Sequence, residues 1–252
     1  MKRTLLLCAL GILCAATPGV DARQGGLVPA PDRRPGEGAG PFPTLTIRNV
    51  MVIDGTGAPP FGPANVIVEN NRIARMVNAG TPGVASRDPG PAAPPNVIDG
   101  TGMFLMPRFV NVHAHLGDEK KAPQNEYVFK LYMAHGFTTI RGVELAAQPM
   151  ALREKTRSAA NQIVAPRIFN YQRPGAGWDK GLVDTPEKAR EWVQWCAANG
   201  VDGMKLVAYP PHIMRALLDE AKKHGLGSTA HLEQVGVAQM DGVTAAKKGL
   251  VT

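Results

Sequence analysis

Alternating apolar and polar residues mark the early part of the chain as β-structure. A β-branched run at residues 45–53 predicts one strand, and a shorter run at 97–99 predicts another. Between them, residues 65–69 and 72–77 flank two asparagines in the pattern of a β-hairpin. We therefore predict a small composite β-sandwich domain over residues 44–106.

The hexapeptide Val-Ile-Asp-Gly-Thr-Gly occurs twice within this domain, at residues 52–57 and 97–102. A glycine-rich phosphate-binding loop would lead directly into a helix. No helical pattern follows either copy, so we interpret both as a strand that ends in a turn.

From residue 107 the pattern changes to strands that alternate with helices. Apolar runs of strand length occur at residues 109–115, 138–143, 167–172, 204–208 and 228–233. Helical patterns occur at residues 126–134, 151–161, 186–197, 213–223 and 237–248. This alternation predicts five βαβ-type units with right-handed crossovers and a parallel sheet. An eight-unit barrel takes about 250 residues, so residues 107–252 encode either a smaller open sheet or the front part of a longer barrel.

The third helical pattern carries clear signals of its start and of its buried face. Thr185 is a favourable N-cap, and Pro186 suits the first turn. One apolar stripe runs along the helix through Ala189, Trp192, Val193, Cys196 and Ala197. We expect this stripe to pack against the sheet.

The N-terminus has the composition of a secretory signal peptide over residues 1–22. A basic pair precedes an apolar stretch, residues 4–16, that is too short to span a bilayer. Cleavage would leave Cys196 as the only cysteine, which cannot form an internal disulfide. Residues 23–43 are rich in Gly, Pro and Arg and predict a disordered leader. We expect an exported protein, periplasmic or extracellular, without a membrane span after cleavage near Arg23.

The formal net charge of +7 changes this picture little. Lysines and arginines form no run interleaved with aromatic residues, so we do not expect a nucleic-acid partner. Hydrophobic residues make up 44% of the chain, enough to build a sizeable core.

His113 and His115 stand at the end of the first predicted barrel strand. Their i, i+2 spacing places both imidazoles on one face of an extended strand, about 6.6 Å apart along the chain. Two neutral imidazoles that converge from one strand end form half of a metal site. We therefore predict metal binding here rather than a structural histidine pair.

Lys205 and His231 are the other candidates for chemistry. Lys205 lies inside an apolar strand pattern, where a buried charge carries a desolvation penalty unless it is paired or modified. His231 lies near the end of the next predicted strand, and active sites assemble at the C-terminal ends of parallel strands. We predict functional roles for both; the alternatives are a strand-end lysine that reaches solvent and a structural histidine.

With these residues in place, the chain resembles the amidohydrolase superfamily, in the branch similar to imidazolonepropionase-like and Xaa-Pro-dipeptidase-like enzymes. His113-x-His115 with its preceding strand is the specific part of this resemblance. The matching stretches run through most of the chain after the leader: residues 49–57, 65–74, 97–115, 136–141, 165–168, 202–207 and 229–231.

The resemblance implies an α/β fold, an incomplete (β/α)8 TIM-type barrel over residues 107–252 flanked by the small β-sandwich. His113 and His115 would bind one divalent metal, and His231 would bind a second. Lys205 would be carboxylated and bridge the two ions. The expected metal is zinc, with other divalent ions open. The implied activity is hydrolysis of an amide or peptide C–N bond of a small-molecule substrate by metal-activated water.

The chain departs from the family pattern in two ways. The family's strand-6 histidine and strand-8 aspartate, the usual general base, would fall beyond Thr252, so we expect a barrel truncated before strand 6 and no turnover by this chain alone. Arg108 and Asn111 stand where glycine and aspartate are common in the strand-1 motif. The alternative is a catalytically incomplete fragment or a non-catalytic binding remnant, whose open sheet edge would favour a homo-oligomer.

Overall fold

The computed structural model describes residues 26–38, 40–78, 80–81, 96–116, 120, 122–143 and 147–251. The predicted signal peptide, residues 1–22, lies outside the described residues. Within the described ranges, none of the helices combines the length and the apolar character that a bilayer crossing needs.

Five strands form the sheet of the N-terminal domain: β1 (Thr44–Val52), β2 (Phe61–Glu69), β3 (Arg72–Asn78), β4 (Val97–Asp99) and β5 (Phe104–Leu105). β1 pairs antiparallel with β2 and parallel with both β4 and β5, and β2 pairs antiparallel with β3. The predicted hairpin is confirmed as β2–β3. Its turn uses the two asparagines, Asn70 and Asn71, at φ of 49° and 62°, a conformation that asparagine tolerates better than most residues.

Both copies of the repeated hexapeptide are strand-plus-turn, as predicted. In the first copy the N–H and the hydroxyl of Thr56 donate to Asp54 Oδ1 at 2.9 and 2.7 Å. In the second, Thr101 makes the same two hydrogen bonds to Asp99, at 3.0 and 2.7 Å. The repeat therefore encodes a turn that is closed by its own aspartate.

The sequence predicts a β-sandwich here, and the described residues of the domain form this one sheet. Its buried cluster consists of Val50, Val52, Ala64 and Val66. Ile73 and Met76 on β3 stay exposed and contribute to a mostly apolar cavity of about 390 Å³. The described residues thus leave apolar surface on this domain uncovered.

The barrel part alternates strands and helices in the predicted order. Its elements are β6 (Phe109–Ala114), α1 (Asn125–Ala134), β7 (Phe137–Val143), α2 (Gln148–Ala159), β8 (Arg167–Gln172), α3 (Pro186–Ala198), β9 (Gly203–Leu206), α4 (Pro211–Lys223), β10 (Gly227–Ala230), α5 (Glu233–Gln239) and α6 (Gly242–Lys247). All five strands are parallel, in the order β10-β9-β8-β7-β6. The prediction of an α/β fold with about five units of a (β/α)8 barrel is confirmed.

Helices cover one face of this sheet and form its core. Phe129 of α1 packs with Ile140 of β7 in one cluster, and Trp192 of α3 packs with Met204 of β9 in a second. The Thr185 side chain caps α3 by accepting a hydrogen bond from the Lys188 N–H at 3.2 Å. The start and the buried face of α3 were therefore predicted correctly.

The prediction of a single last helix over residues 237–248 was wrong in its extent. The chain leaves β10 at Ala230 and enters α5 at Glu233, whose φ is 56°. Asp241 then starts a separate helix, α6, by accepting a hydrogen bond from the Thr244 N–H at 2.7 Å. Because Asp241 acts as an N-cap in the middle of the apolar pattern, this segment forms two helices instead of one.

The described part of the predicted leader also differs from the expectation of disorder. Val28 exchanges backbone hydrogen bonds with Pro123 and Asn125 beside α1. Ala30 is 3% exposed in the core, and its N–H donates to the buried Glu154 carboxylate on α2 at 3.1 Å. The composition of residues 23–43 gave no sign of this docking, because the partner groups lie about a hundred residues away.

Candidate metal centre

His113 and His115 lie at the C-terminal end of β6, as predicted. His113 belongs to the strand and His115 follows directly after its last residue. Their ring centroids are 5.4 Å apart with an interplanar angle of 61°. Both side chains project from the face of the sheet that the helices leave open.

His231 reaches the same place from the opposite edge of the sheet. It follows directly after β10, whereas β6 forms the other edge. The rings of His113 and His231 nevertheless stack, with centroids 4.9 Å apart and an interplanar angle of 16°. The sheet is therefore curled like half of a barrel, so that its two edge strands bring their histidines into contact.

Lys205 lies on β9 beside β10, paired in register with Thr229. Its neighbours Met204 and Leu206 are buried in the helix-side core, so Lys205 projects from the face that carries the histidines. The residue is only 2% exposed. All four candidate residues are thus gathered on one face of one curled sheet.

The electrostatics of this cluster favour neutral imidazole at His113. Partial desolvation of the ring and then the positive charge of Lys205 lower the pKa of His113, and the neighbouring His231 and His115 act in the same direction. Metal binding needs a deprotonated ring nitrogen, and the lowered pKa of His113 favours that form of its ring.

The chemistry of these donors fits a divalent cation. Imidazole nitrogens bind zinc and other first-row divalent ions, and three imidazoles lie together here. The ring of His113 packs against those of both His115 and His231. Among the described residues, no group of three or more His, Cys, Asp or Glu side chains already has the geometry of a metal site.

Two further side chains border the cluster and were not singled out from the sequence. Arg141 of β7 lies with its guanidinium carbon 5.2 Å from the ring centre of Tyr171 on β8. Burial raises the pKa of the Tyr171 phenol, and the charge of Arg141 opposes that rise. The one sequence signal for Arg141 was a cation inside an otherwise apolar strand pattern, the same signal that identified Lys205.

Comparison with known proteins identifies the fold. No family model and no curated protein matches the chain. Solved structures do match, among them a candidate prolidase from Bifidobacterium longum, with 24% identity and a TM-score of 0.62 over 78% of this chain and 51% of that one. A Xaa-Pro dipeptidase with methionine bound in its active site matches with 18% identity and a TM-score of 0.63, over 82% of this chain and 60% of that one.

An amidohydrolase structure matches similarly, with 17% identity and a TM-score of 0.61 over 82% of this chain and 59% of its own. At such identities these likenesses establish the fold, which is the partial (β/α)8-barrel fold that the sequence predicted. The chain spans about half to three-fifths of the length of the structures it matches.

Proposed function

We propose that this chain carries the metal-binding part of a hydrolase that cleaves amide-type C–N bonds of small molecules. The observation that carries the proposal is the meeting of three imidazoles from the two opposite edges of one sheet, beside a buried lysine. The names of solved proteins with this fold, a dipeptidase and an amidohydrolase among them, support the reaction class.

His113, His115 and His231 would hold the cation through ring nitrogens. Their side chains are exposed on the open face, and rotation about the broad terminal torsion of each would turn a nitrogen toward a shared point. A bound divalent ion would polarise the scissile carbonyl and lower the pKa of a water molecule. The three histidines would thereby fix where on this face a substrate carbonyl is presented.

Lys205 would contribute as a carbamate. An ammonium group has no lone pair to donate, and burial disfavours that charged form. The neutral amine nitrogen would attack the carbon of CO2. As the N–C bond forms, one C=O π bond becomes a C–O⁻ bond, and one N–H proton passes to solvent. The carbamate would share one negative charge between its two oxygens, each of which could be a ligand to zinc or another divalent ion.

A second candidate is a metal-binding protein without turnover of its own. The observation that favours it is the openness of the site: Val110, Val112 and Phe169 beside it are 47%, 50% and 41% exposed. A water-filled site weakens the electrostatic interactions on which such catalysis depends.

Metal binding by the 252-residue chain is the first test. The chain is equilibrated with Zn²⁺ and bicarbonate, and bound zinc is measured by mass spectrometry after gel filtration. We expect zinc affinity to fall at least about tenfold in His113→Ala and in His231→Ala. His212→Ala, which removes an exposed histidine at the start of α4, is the matched control and should bind as the parent does.

Turnover tests the second candidate. The zinc-loaded chain is offered a panel of Xaa-Pro dipeptides and N-acyl amino acids, with His113→Ala as the negative control. Hydrolysis that depends on His113 eliminates the second candidate. Zinc binding without hydrolysis agrees with both candidates, because the sequence predicts no turnover by this chain alone. A chain that stays metal-free at saturating zinc contradicts both.

A further inference from the structure

Strand β6 contains one residue more than β7 at the point where the first histidine occurs. The ladder runs from the pair Asn111–Ile140 directly to the pair Ala114–Gly142. Three steps along β6 therefore match two steps along β7, so two residues of β6 face a single residue of its neighbour. This is a β-bulge, which is rare between parallel strands and over-represented beside active sites.

A second register shift, between Phe109 and Val110, compensates for this bulge, because there β7 has the extra residue. The bulge therefore returns β6 to the register in which Phe109 pairs with Phe137. Ile140 is buried beneath the helices, and so is Ala114 after the bulge. If the register of Asn111 with Ile140 continued without the bulge, His113 and His115, two and four residues later, would share the face of Ile140. The extra residue instead gives that face to Ala114, and both histidines turn to the open face.

Two side chains hydrogen-bond the backbone groups around the bulge. Asn111 Oδ1 accepts a hydrogen bond from the His113 N–H at 3.0 Å. Arg141 Nε donates to the Val112 carbonyl oxygen at 2.9 Å. Backbone groups that leave a ladder need such partners. Here the two side chains hold both polar ends of a single peptide group, the one that joins Val112 to His113.

Arg141 is held in turn by the strands on its other side. Its guanidinium lies over the ring of Tyr171. The Tyr171 ring extends across Gly203 and Gly227. A Cβ added at Gly203 would lie 2.5 Å from the Tyr171 Cζ, and one added at Gly227 would lie 1.9 Å from the Tyr171 hydroxyl oxygen. Two glycines at the starts of β9 and β10 therefore make room for the ring on which Arg141 rests.

We propose that Asn111 and Arg141 are positioning residues that hold this bulge and thereby place the imidazole of His113 against those of His115 and His231. The inference rests on the proposed function where metal binding is concerned, whereas the bulge itself does not require a metal. The proposal also explains how asparagine can stand at position 111, where aspartate is common in the family. Its amide oxygen accepts a hydrogen bond from the His113 N–H, as a carboxylate oxygen would.

Hydrogen exchange of the metal-free chain tests the role of Asn111. Asn111→Ala is expected to raise the exchange rate of the His113 amide, followed by NMR, about tenfold or more. Asn111→Asp keeps an acceptor and should restore slow exchange. Asn78→Ala is the matched control, because Asn78 Oδ1 accepts from the Gly80 N–H at 2.9 Å in the other domain and its loss should leave His113 unchanged.

Cobalt binding tests the consequence for the site. Arg141→Met and Asn111→Ala are each expected to weaken Co²⁺ affinity about 10- to 100-fold and to change the d–d absorption spectrum, while circular dichroism stays that of the parent. Arg190→Met is the matched control, because Arg190 donates to the Pro186 carbonyl oxygen at 3.2 Å on α3, away from the histidines.

The outcomes separate this inference from the proposed function. If the parent chain binds no Co²⁺ but Asn111→Ala accelerates exchange at His113, the proposed function fails and the role of Asn111 in the bulge stands. If the parent binds Co²⁺ and Asn111→Ala changes neither the exchange nor the spectrum, the positioning role is overturned. Should Arg141→Met fail to fold, the Asn111→Ala and Asn111→Asp pair decides.

Discussion

Glu220 joins two helices of the barrel part through its buried carboxylate. The residue lies on α4 and is 4% exposed. Gln194 Nε2 of α3 donates to Glu220 Oε1 at 2.9 Å, and Lys223 Nζ donates to Glu220 Oε2 at 2.7 Å. These hydrogen bonds lower the pKa of Glu220 from 4.5 to about 2.

The stability of the chain should therefore depend on Glu220 in acid. Because its pKa is lower in the folded state, ionised Glu220 stabilises the fold fully above pH 4.5 and less as the pH falls toward 2. We expect Glu220→Gln to lower the free energy of unfolding by about 1–3 kcal/mol at pH 6 and to flatten the acid dependence. Urea unfolding at several pH values measures both.

Asp219→Asn is the control for this prediction, since Asp219 is the next residue on the same helix and is exposed. It should leave the acid dependence as it is in the parent chain. A parent-like acid slope in Glu220→Gln would contradict the role of the carboxylate.

The four candidate ligands could be predicted from the sequence because each is a polar residue in or after an apolar strand. The roles of Asn111 and Arg141 could not. They depend on local register shifts between β6 and β7, which a period-two pattern does not reveal. The contact of Ala30 with Glu154 was equally hidden, because it joins residues 124 positions apart.

The Tyr171 ring packs directly on Gly227, which leaves no space for a larger residue there. An Ala methyl there would lie 1.9 Å from the Tyr171 hydroxyl oxygen, so the ring would have to move. We expect Gly227→Ala to destabilise the chain by about 1–3 kcal/mol, measured by thermal unfolding. Gly242→Ala, where an added Cβ meets nothing within 4 Å, is the control; equal effects of the two substitutions would refute the packing role.

At the scale of elements, the strand and helix order follows from the sequence, while the contacts made by the leader do not. Residues 26–38 lie against α1 and α2 through backbone hydrogen bonds and through Glu154, whose side chain is 0% exposed. Arg157 of α2 bonds both Glu154 and Asp32, at 3.0 and 2.8 Å. The segment is therefore part of the folded barrel.

Glu154→Ala tests this docking. It leaves the Ala30 N–H and the Arg157 guanidinium without their buried acceptor, so we expect a loss of about 1–3 kcal/mol in unfolding free energy and faster hydrogen exchange at Ala30. Glu191→Ala is the control. The Glu191 side chain is 51% exposed and pairs with Lys180 at the surface, so its loss should change the free energy of unfolding by less than about 0.5 kcal/mol. An Ala30 amide that exchanges equally fast in the parent would contradict the docking.

At the scale of the whole molecule, the curl of the sheet creates both the histidine cluster and an open apolar face. Val110 and Phe169 are 47% and 41% exposed there. We expect the 252-residue chain to self-associate through this face. The double variant Val110→Lys/Phe169→Lys should then have a lower average mass, closer to that of the monomer, when measured by light scattering. Leu182→Lys, at a loop residue that is 79% exposed, should not. An unchanged mass in the double variant would contradict association through this face.

The central claim is that imidazoles from the two edges of one curled sheet bind a divalent cation together. Crystals of the zinc-loaded chain, measured at the zinc absorption edge, test it most directly. The account predicts an anomalous peak about 2.0–2.1 Å from ring nitrogens of His113, His115 and His231. A zinc peak elsewhere on the molecule, or three empty imidazoles at saturating zinc, would contradict it.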